Sequence, residues 1–211
     1  MIRPYRPTDL PALYDICVRT AQEGEDARPF YRDHELLGTL FAAPYARLEP
    51  ELTFVKDDGR GNAVGYILGT ADTSTFVKRF RGEWLPEVAG RYPTPADPAP
   101  ADPAAATPAP ATPDEIMVDL LHRPERMLVP ELAPYPAHLH IDLLPDHQGA
   151  GHGRALMETF LAALATAGVP AVHLGMVTAN VRARPFYDRL GFHEIAVADP
   201  GPLTYLGRAT S

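Results

Sequence analysis

The chain is short of thiols, of positive charge and of long apolar runs, and each shortage removes a class of protein. Cys17 is its one cysteine, so no intrachain disulfide can form. It shares the apolar side of an expected helix with Leu10, Leu13 and Ile16, which makes it a small core side chain rather than a nucleophile. No uninterrupted apolar run is long enough to span a bilayer. Lys and Arg number 19 against 27 Asp and Glu, a formal charge of −8, whereas nucleic-acid binders present basic faces. No nucleic-acid or membrane partner is therefore expected. The opening MIRPYRPTDLP has prolines and charges where a signal peptide needs an apolar core, so the expected compartment is the cytoplasm. Residues 93–113 contain eight prolines and no aromatic or large aliphatic residue. Such a segment cannot bury a core, and the expectation is an extended or disordered tether.

What the chain does have is concentrated in residues 137–168. Leu139, Ile141 and Leu143 alternate with His138, His140 and Asp142, the period of a half-buried strand ending at Pro145. Gln148, Gly149, Ala150, Gly151, His152 and Gly153 follow. Ala155, Leu156, Phe160, Leu161 and Leu164 then fall at helical spacing, and Gly168 closes the helix. A glycine turn opening a helix is a phosphate site on physical grounds: the first-turn N–H groups lack intrahelical partners, the dipole end is positive, and glycine admits a close anion. It is not a nucleotide P-loop, because Gly153 is followed by Arg154 and Ala155 instead of Lys and Ser or Thr. Nor is it a dinucleotide fingerprint. The glycines are spaced G-x-G-x-G, and the next strand, AVHLGMVTAN, holds no acid.

Gln148-x-x-Gly151-x-Gly153 resembles the pyrophosphate loop of the GCN5-related N-acetyltransferases (GNAT), whose pattern is Q/R-x-x-G-x-G/A. A second resemblance follows one helix and one strand later: Asn180, Ala183, the pair Phe186-Tyr187, and Gly191-Phe192. The match is close over residues 137–197 and by pattern only towards the amino terminus. It implies a single α/β (α+β) domain over 1–211. The expected sheet is mixed, mostly antiparallel and twisted, with about seven strands and helices on both faces. An insertion at about 71–136 departs from the minimal pattern. Its Gly-Tyr-x-Leu-Gly-Thr strand and its helix with Phe76, Phe80 and Trp84 resemble the acetyltransferase-like domain at the C-terminus of O-GlcNAcases.

The remaining expectations are local. Thr8 is read as the cap of a first helix that Gly24 stops, and residues 28–48 as short helices broken near Gly38 and Pro44. Strands 52–56 and 63–70 form a hairpin, and helices run over 114–121 and 180–190. Strands are expected over 2–5, 172–177, 192–197 and 203–207.

The resemblance implies direct acetyl transfer from acetyl-CoA to an amine, with no metal. Ile141, Leu143 and Leu144 would then meet the pantetheine and thioester. Gln148, Gly149, Ala150, Gly151, His152, Gly153 and Arg154 would hold the pyrophosphate. A backbone N–H near Leu143 or Leu144 would polarise the thioester. Asn180, Ala183, Phe186 and Tyr187 would face the cofactor, with Tyr187 as the acid for the departing thiolate. The base is sought among His138, His140 and Asp142, with the latter two preferred because they stand nearer the loop. Glu23, Glu25 and Asp26, together with Asp142, suggest a cationic acceptor, a small molecule or a peptide amine; a solvated turn explains the first three equally well. A homodimer is left open. Two other classes stay open: an acetyl-CoA-binding domain without turnover, and an interaction module displaying Phe76, Phe80 and Trp84.

Overall fold

The computed structural model describes residues 1–95 and 111–211; residues 96–110, the middle of the expected tether, lie outside the described residues. Strand β1 (Ile2–Pro4) leads through a 3-10 turn into α1 (Leu10–Thr20). Two short helices follow, α2 (Leu36–Phe41) and α3 (Ala43–Leu48), and then the hairpin of β2 (Thr53–Asp57) and β3 (Ala63–Thr70). Next come α4 (Thr73–Arg79), a π-helical turn (Phe80–Trp84), α5 (Leu85–Val88) and α6 (Pro113–Leu121). The chain continues through β4 (Ala137–Leu143), α7 (His152–Thr166), β5 (Ala171–Val177), α8 (Arg184–Asp188), β6 (His193–Ile195) and β7 (Leu203–Ala209).

The seven strands form one sheet in the order β1-β2-β3-β4-β5-β7-β6. Every neighbouring pair is antiparallel except β4 and β5. That parallel pair is held at Ala137↔Val172 and His138↔His173 alone. Beyond those residues β4 and β5 part, and a wedge opens in the middle of the sheet. β3 is buried at every position, as a central strand covered on both faces should be.

The period-2 pattern of β4 sorts the two layers of core. Its odd residues join Leu156, Phe160 and Leu164 of α7, all fully buried, in one apolar cluster. Its even residues face the other cluster, where Leu13 and Ile16 of α1 pack with Tyr45, Tyr66, Phe76 and Phe80. Burying one such side chain is worth about 1.5–3 kcal/mol. Phe76, Phe80 and Trp84 are thus core residues at 0%, 1% and 7% exposure. They cannot serve as a contact surface, which removes the interaction-module alternative built on them.

Several local expectations change. Thr8 caps nothing; Asp9 instead accepts the Arg6 N–H at 2.8 Å and binds Arg3. Gly38 lies inside α2 because Tyr14 packs on it: an added Cβ would come within 2.4 Å of the ring. The break falls at Ala42. The helix expected over 180–190 shrinks to α8, because residues 180–183 form a turn and Pro185 sits in the first helical turn. Thr112 and Pro113, assigned to the tether, open α6; Thr112 and Glu115 form its capping box. Gly168 closes α7 as expected, with φ of 73° and the bond from Val169 N–H to Leu164 C=O of a Schellman motif.

The sheet's first edge is fastened by a buried ion network. Arg3 donates from Nε to Asp57 at 2.8 Å and from both terminal nitrogens to Asp9, at 2.7 and 2.8 Å. The three residues are 8%, 5% and 5% exposed. Arg3 holds the Asp57 carboxyl at about 2 and lowers that of Asp9.

Candidate active site

The even face of β4 carries His138, His140 and Asp142 in one row, as the alternation requires. The structure joins the first two through a residue of α3: the Tyr45 hydroxyl lies 2.7 Å from His138 Nε2 and 3.1 Å from His140 Nε2. At the far end Thr73 Oγ1 donates to the Pro136 carbonyl at 2.8 Å and lies 2.8 Å from His138 Nδ1. Thr73 has one hydroxyl proton, and a carbonyl can only accept, so His138 Nδ1–H must be the donor to Thr73. His138 Nε2 then accepts the Tyr45 proton, and the Tyr45 oxygen accepts from His140 Nε2–H. That order of donors leaves His140 Nδ1 as an unprotonated nitrogen.

These assignments separate the three candidate bases. Both ring nitrogens of His138 are engaged and the residue is 6% exposed, so it cannot reach a substrate. His140 keeps one free nitrogen, but burial and then the charge of Arg126 lower it to about 4. Asp142 is only half-buried by surface, yet the surrounding mass pushes its carboxyl up to about 6, despite the 2.6 Å hydrogen bond donated by Tyr66. A carboxylate with that value is poised near neutrality.

On the cofactor side two motifs distant in sequence touch. A Cβ on Gly153 would lie 3.1 Å from the Phe186 ring and 3.5 Å from Leu143, so a glycine lets this ring close over the start of α7 without displacement. Arg154, at the same helix end, donates to the Arg189 carbonyl at 3.3 Å. Gly149 and Gly151 have φ of 75° and 81°, and a Cβ at either would project into open space. Among the described residues no protein acceptor binds the backbone N–H groups of residues 149–154. They include the orphan donors of a helix start. This row fits an anionic diphosphate.

Leu143 and Leu144 part company. Leu144 N–H donates to Val64 C=O across the β3 ladder at 3.0 Å. Antiparallel alternation then turns the backbone of Ile141 and Leu143 away from β3, into the wedge. Gln148 Nε2 donates to the Leu143 carbonyl at 2.8 Å, which ties the loop to the strand end. Asn180 Oδ1 accepts Ala183 N–H at 3.3 Å and closes the turn before α8. Ala183 and Phe186 are partly buried against the α7 cluster. Tyr187 packs between Phe186 and Phe192, with ring centroids 5.1 and 5.7 Å away. Burial, and then the nearby Asp142 charge, raise the Tyr187 hydroxyl above its ordinary value, so it keeps its proton.

The acids of the loop after α1 do not form a free negative wall. Glu25 pairs with Arg182 at 2.6 Å, and Asp26 pairs with Arg28. Tyr45, Tyr66 and Thr73 were not expected at the site. Tyr66 could have been found, since Gly-Tyr-x-Leu-Gly-Thr lies in register with β4 and pairs Tyr66 with Asp142. Tyr45 and Thr73 arrive from helices whose sequence carries no chemical motif.

Comparison with known proteins follows the same lines. A family model described as an acetyltransferase (GNAT) domain matches residues 127–194. The crystal structure of SsHAT is 65% identical, with a TM-score of 0.92, over 100% of this chain and 98% of that one. Protein O-GlcNAcase of Rattus norvegicus is 27% identical over 99% of this chain, which spans 22% of that relative's length. The Salmonella typhimurium protein yncA, solved with its cofactor acetyl-CoA, shares the fold at a TM-score of 0.54 and 15% identity, over 100% of this chain and 94% of that one.

Proposed function

The chain belongs to the GNAT acetyltransferase family, and from that premise we propose that it moves an acetyl group from acetyl-CoA directly to an amine. The observation that carries this reading is the wedge between β4 and β5. It opens onto unpaired N–H groups at one end and the Asp142 carboxyl on the other face. Acetyl-CoA supplies the activated acetyl thioester and a diphosphate by which it is held.

The residues divide the work. The N–H groups of residues 149–154, backed by Arg154, bind the diphosphate. Phe186 and Leu143 close over Gly153 and line the arm, with Ile141, Asn180 and Ala183 beside them. Leu143 N–H, free of the β3 ladder, donates to the thioester oxygen as charge builds there. Asp142 takes the proton that an ammonium must lose before it attacks. Tyr187 gives its proton to the departing thiolate and regains one from the acylated nitrogen, so the products are a neutral amide, CoA thiol and the one proton taken up by Asp142.

The test begins with binding. Acetyl-CoA should give a saturable calorimetric signal. Gly151→Val should abolish it, because a β-branched residue neither tolerates a φ of 81° nor admits the phosphate, while a cooperative thermal transition remains. Thiol release with a panel of amines then tests transfer, and Tyr187→Phe should lower kcat by roughly 10²-fold with acetyl-CoA affinity unchanged. No heat with millimolar acetyl-CoA would sink the proposal. Binding without thiol release from any amine would leave a cofactor-binding domain without turnover.

A further inference from the structure

The insertion contributes a cation to the acceptor side of the wedge. Arg126 stands in a 3-10 turn, Pro124–Met127. That turn is fastened from behind, where Arg81 pairs with Glu125 and donates to the His122 carbonyl at 3.1 Å. The guanidinium reaches over Phe41, 5.9 Å from the ring centroid, and the Phe41 ring lies 5.8 Å from that of His140. Tyr45 and Tyr205 are close enough to interact with its charge.

Its charge is unanswered. The acids beside it in sequence serve other arginines, Glu125 on Arg81 and Asp119 on Arg123. Its own hydrogen bond to protein beyond the backbone is one weak donation from Nε to the Leu120 carbonyl at 3.4 Å. Both terminal nitrogens of the fork are left without a protein partner among the described residues. Arg126 is exposed by surface, yet the protein mass around its guanidinium lowers its pKa. His138 and His140, which share the pocket, are driven towards neutrality and do not compete for an anion. A chain of net charge −8 thus presents, beside Phe41 and His140, a forked cation that no acid among the described residues pairs.

We propose that Arg126 is an anion subsite of the acceptor pocket, and that the acceptor is an amine carrying a carboxylate. A planar guanidinium offers two parallel N–H donors that match a carboxylate, which neither tyrosine nor neutral histidine can do. The amine half of this assignment rests on the acetyl-transfer reading; the carboxylate half rests on Arg126 alone. It adds a carboxylate to the cationic acceptor suggested by Glu23, Glu25, Asp26 and Asp142, so the acceptor arrives as a zwitterion.

The experiment uses matched pairs of increasing length: glycine, 4-aminobutyrate and 6-aminohexanoate, each against the alkylamine of the same length without the carboxylate. Binding is measured calorimetrically with and without CoA, and thiol release from acetyl-CoA in parallel. At least one carboxylate member should bind about tenfold tighter than its partner. Arg126→Met should erase that preference while leaving CoA affinity and melting temperature unchanged, and Arg126→Lys should keep part of it. No carboxylate preference at any length, or a preference that survives Arg126→Met, overturns the proposal. Thiol release from plain amines without carboxylate preference would spare the transferase and remove the subsite. Arg126-dependent carboxylate binding without thiol release would do the reverse.

Discussion

Two clusters of titratable groups lie inside or at the edge of the core, and the molecule treats them in opposite ways. At the sheet edge Arg3, Asp9 and Asp57 are all ionised, all hydrogen-bonded and all within 3 Å of a partner of opposite sign. In the middle of the sheet His138, His140 and Asp142 are hydrogen-bonded too, but no cation or anion matches them, and burial drives all three towards their neutral forms. Compensated charge makes a rigid joint. Uncompensated groups stay sensitive to protons, which is what acid–base chemistry needs.

The strongest way to break the comparison is to uncompensate the first site. Arg3→Met leaves two buried carboxylates facing each other and should lower the melting temperature by roughly 10 °C, the scale for removing one partner of a buried ion network in a domain of this size. A change of only a degree or two would show that the edge does not depend on the network.

Asp142→Asn sharpens the contrast. The amide oxygen can still accept the Tyr66 hydroxyl, so the fold should hold, while kcat/KM falls about 10²-fold and acetyl-CoA affinity stays. The pH dependence carries a sign. Asp142 is raised from 3.8 to about 6, so its contribution to stability is complete below its unfolded value and is lost as pH rises through 6. Asp9 and Asp57 are depressed; their contribution is present above the unfolded value and is lost as pH falls, for Asp57 through about 2. The two sites should therefore bend the stability curve in opposite directions. Denaturant titrations between pH 4 and 7 would show the Asp142 component, and it should vanish in Asp142→Asn. An unchanged slope in that variant would assign the component elsewhere.

The smallest effect belongs to residues 96–110. Replacing them by a glycine–serine segment of equal length should leave both sites, the melting temperature and acetyl-CoA affinity as they were, since proline and alanine bring little apolar area. A loss approaching that of Arg3→Met would contradict this.

The strand, loop and helix of 137–168 were legible because their side chains follow a short period and their glycines stand at fixed offsets. The β3 hairpin and the capped end of α7 were legible for the same reason. What escaped depends on tertiary neighbours. Gly38 reads as a helix break until Tyr14 is known to lie against it. The acid Glu25 reads as part of a substrate wall until Arg182 arrives from far along the chain. The row of His138, His140 and Asp142 could be proposed from β4 alone, but its tautomers are set by Tyr45 and Thr73, which no local pattern marks. Phe76, Phe80 and Trp84 show the converse: their shared helix face left a display surface open as an alternative, which the second layer of helices closes by burying them.

The parting of β4 from β5 has a mechanical side. α7 packs on β1 to β4, and its Leu156, Phe160 and Leu164 share one apolar cluster with Val172 and Leu174 of β5 and Leu206 of β7. Besides that cluster, the seam is crossed by two ladder pairs, the Phe186 ring on Gly153, the Arg154 bond to Arg189, the Glu25–Arg182 pair and the His138 ring beside His173. The core is continuous under the seam, and it is the hydrogen-bond ladder that is interrupted there. A long, flexible molecule laid along the seam would replace the missing ladder and act as the spine between β4 and β5.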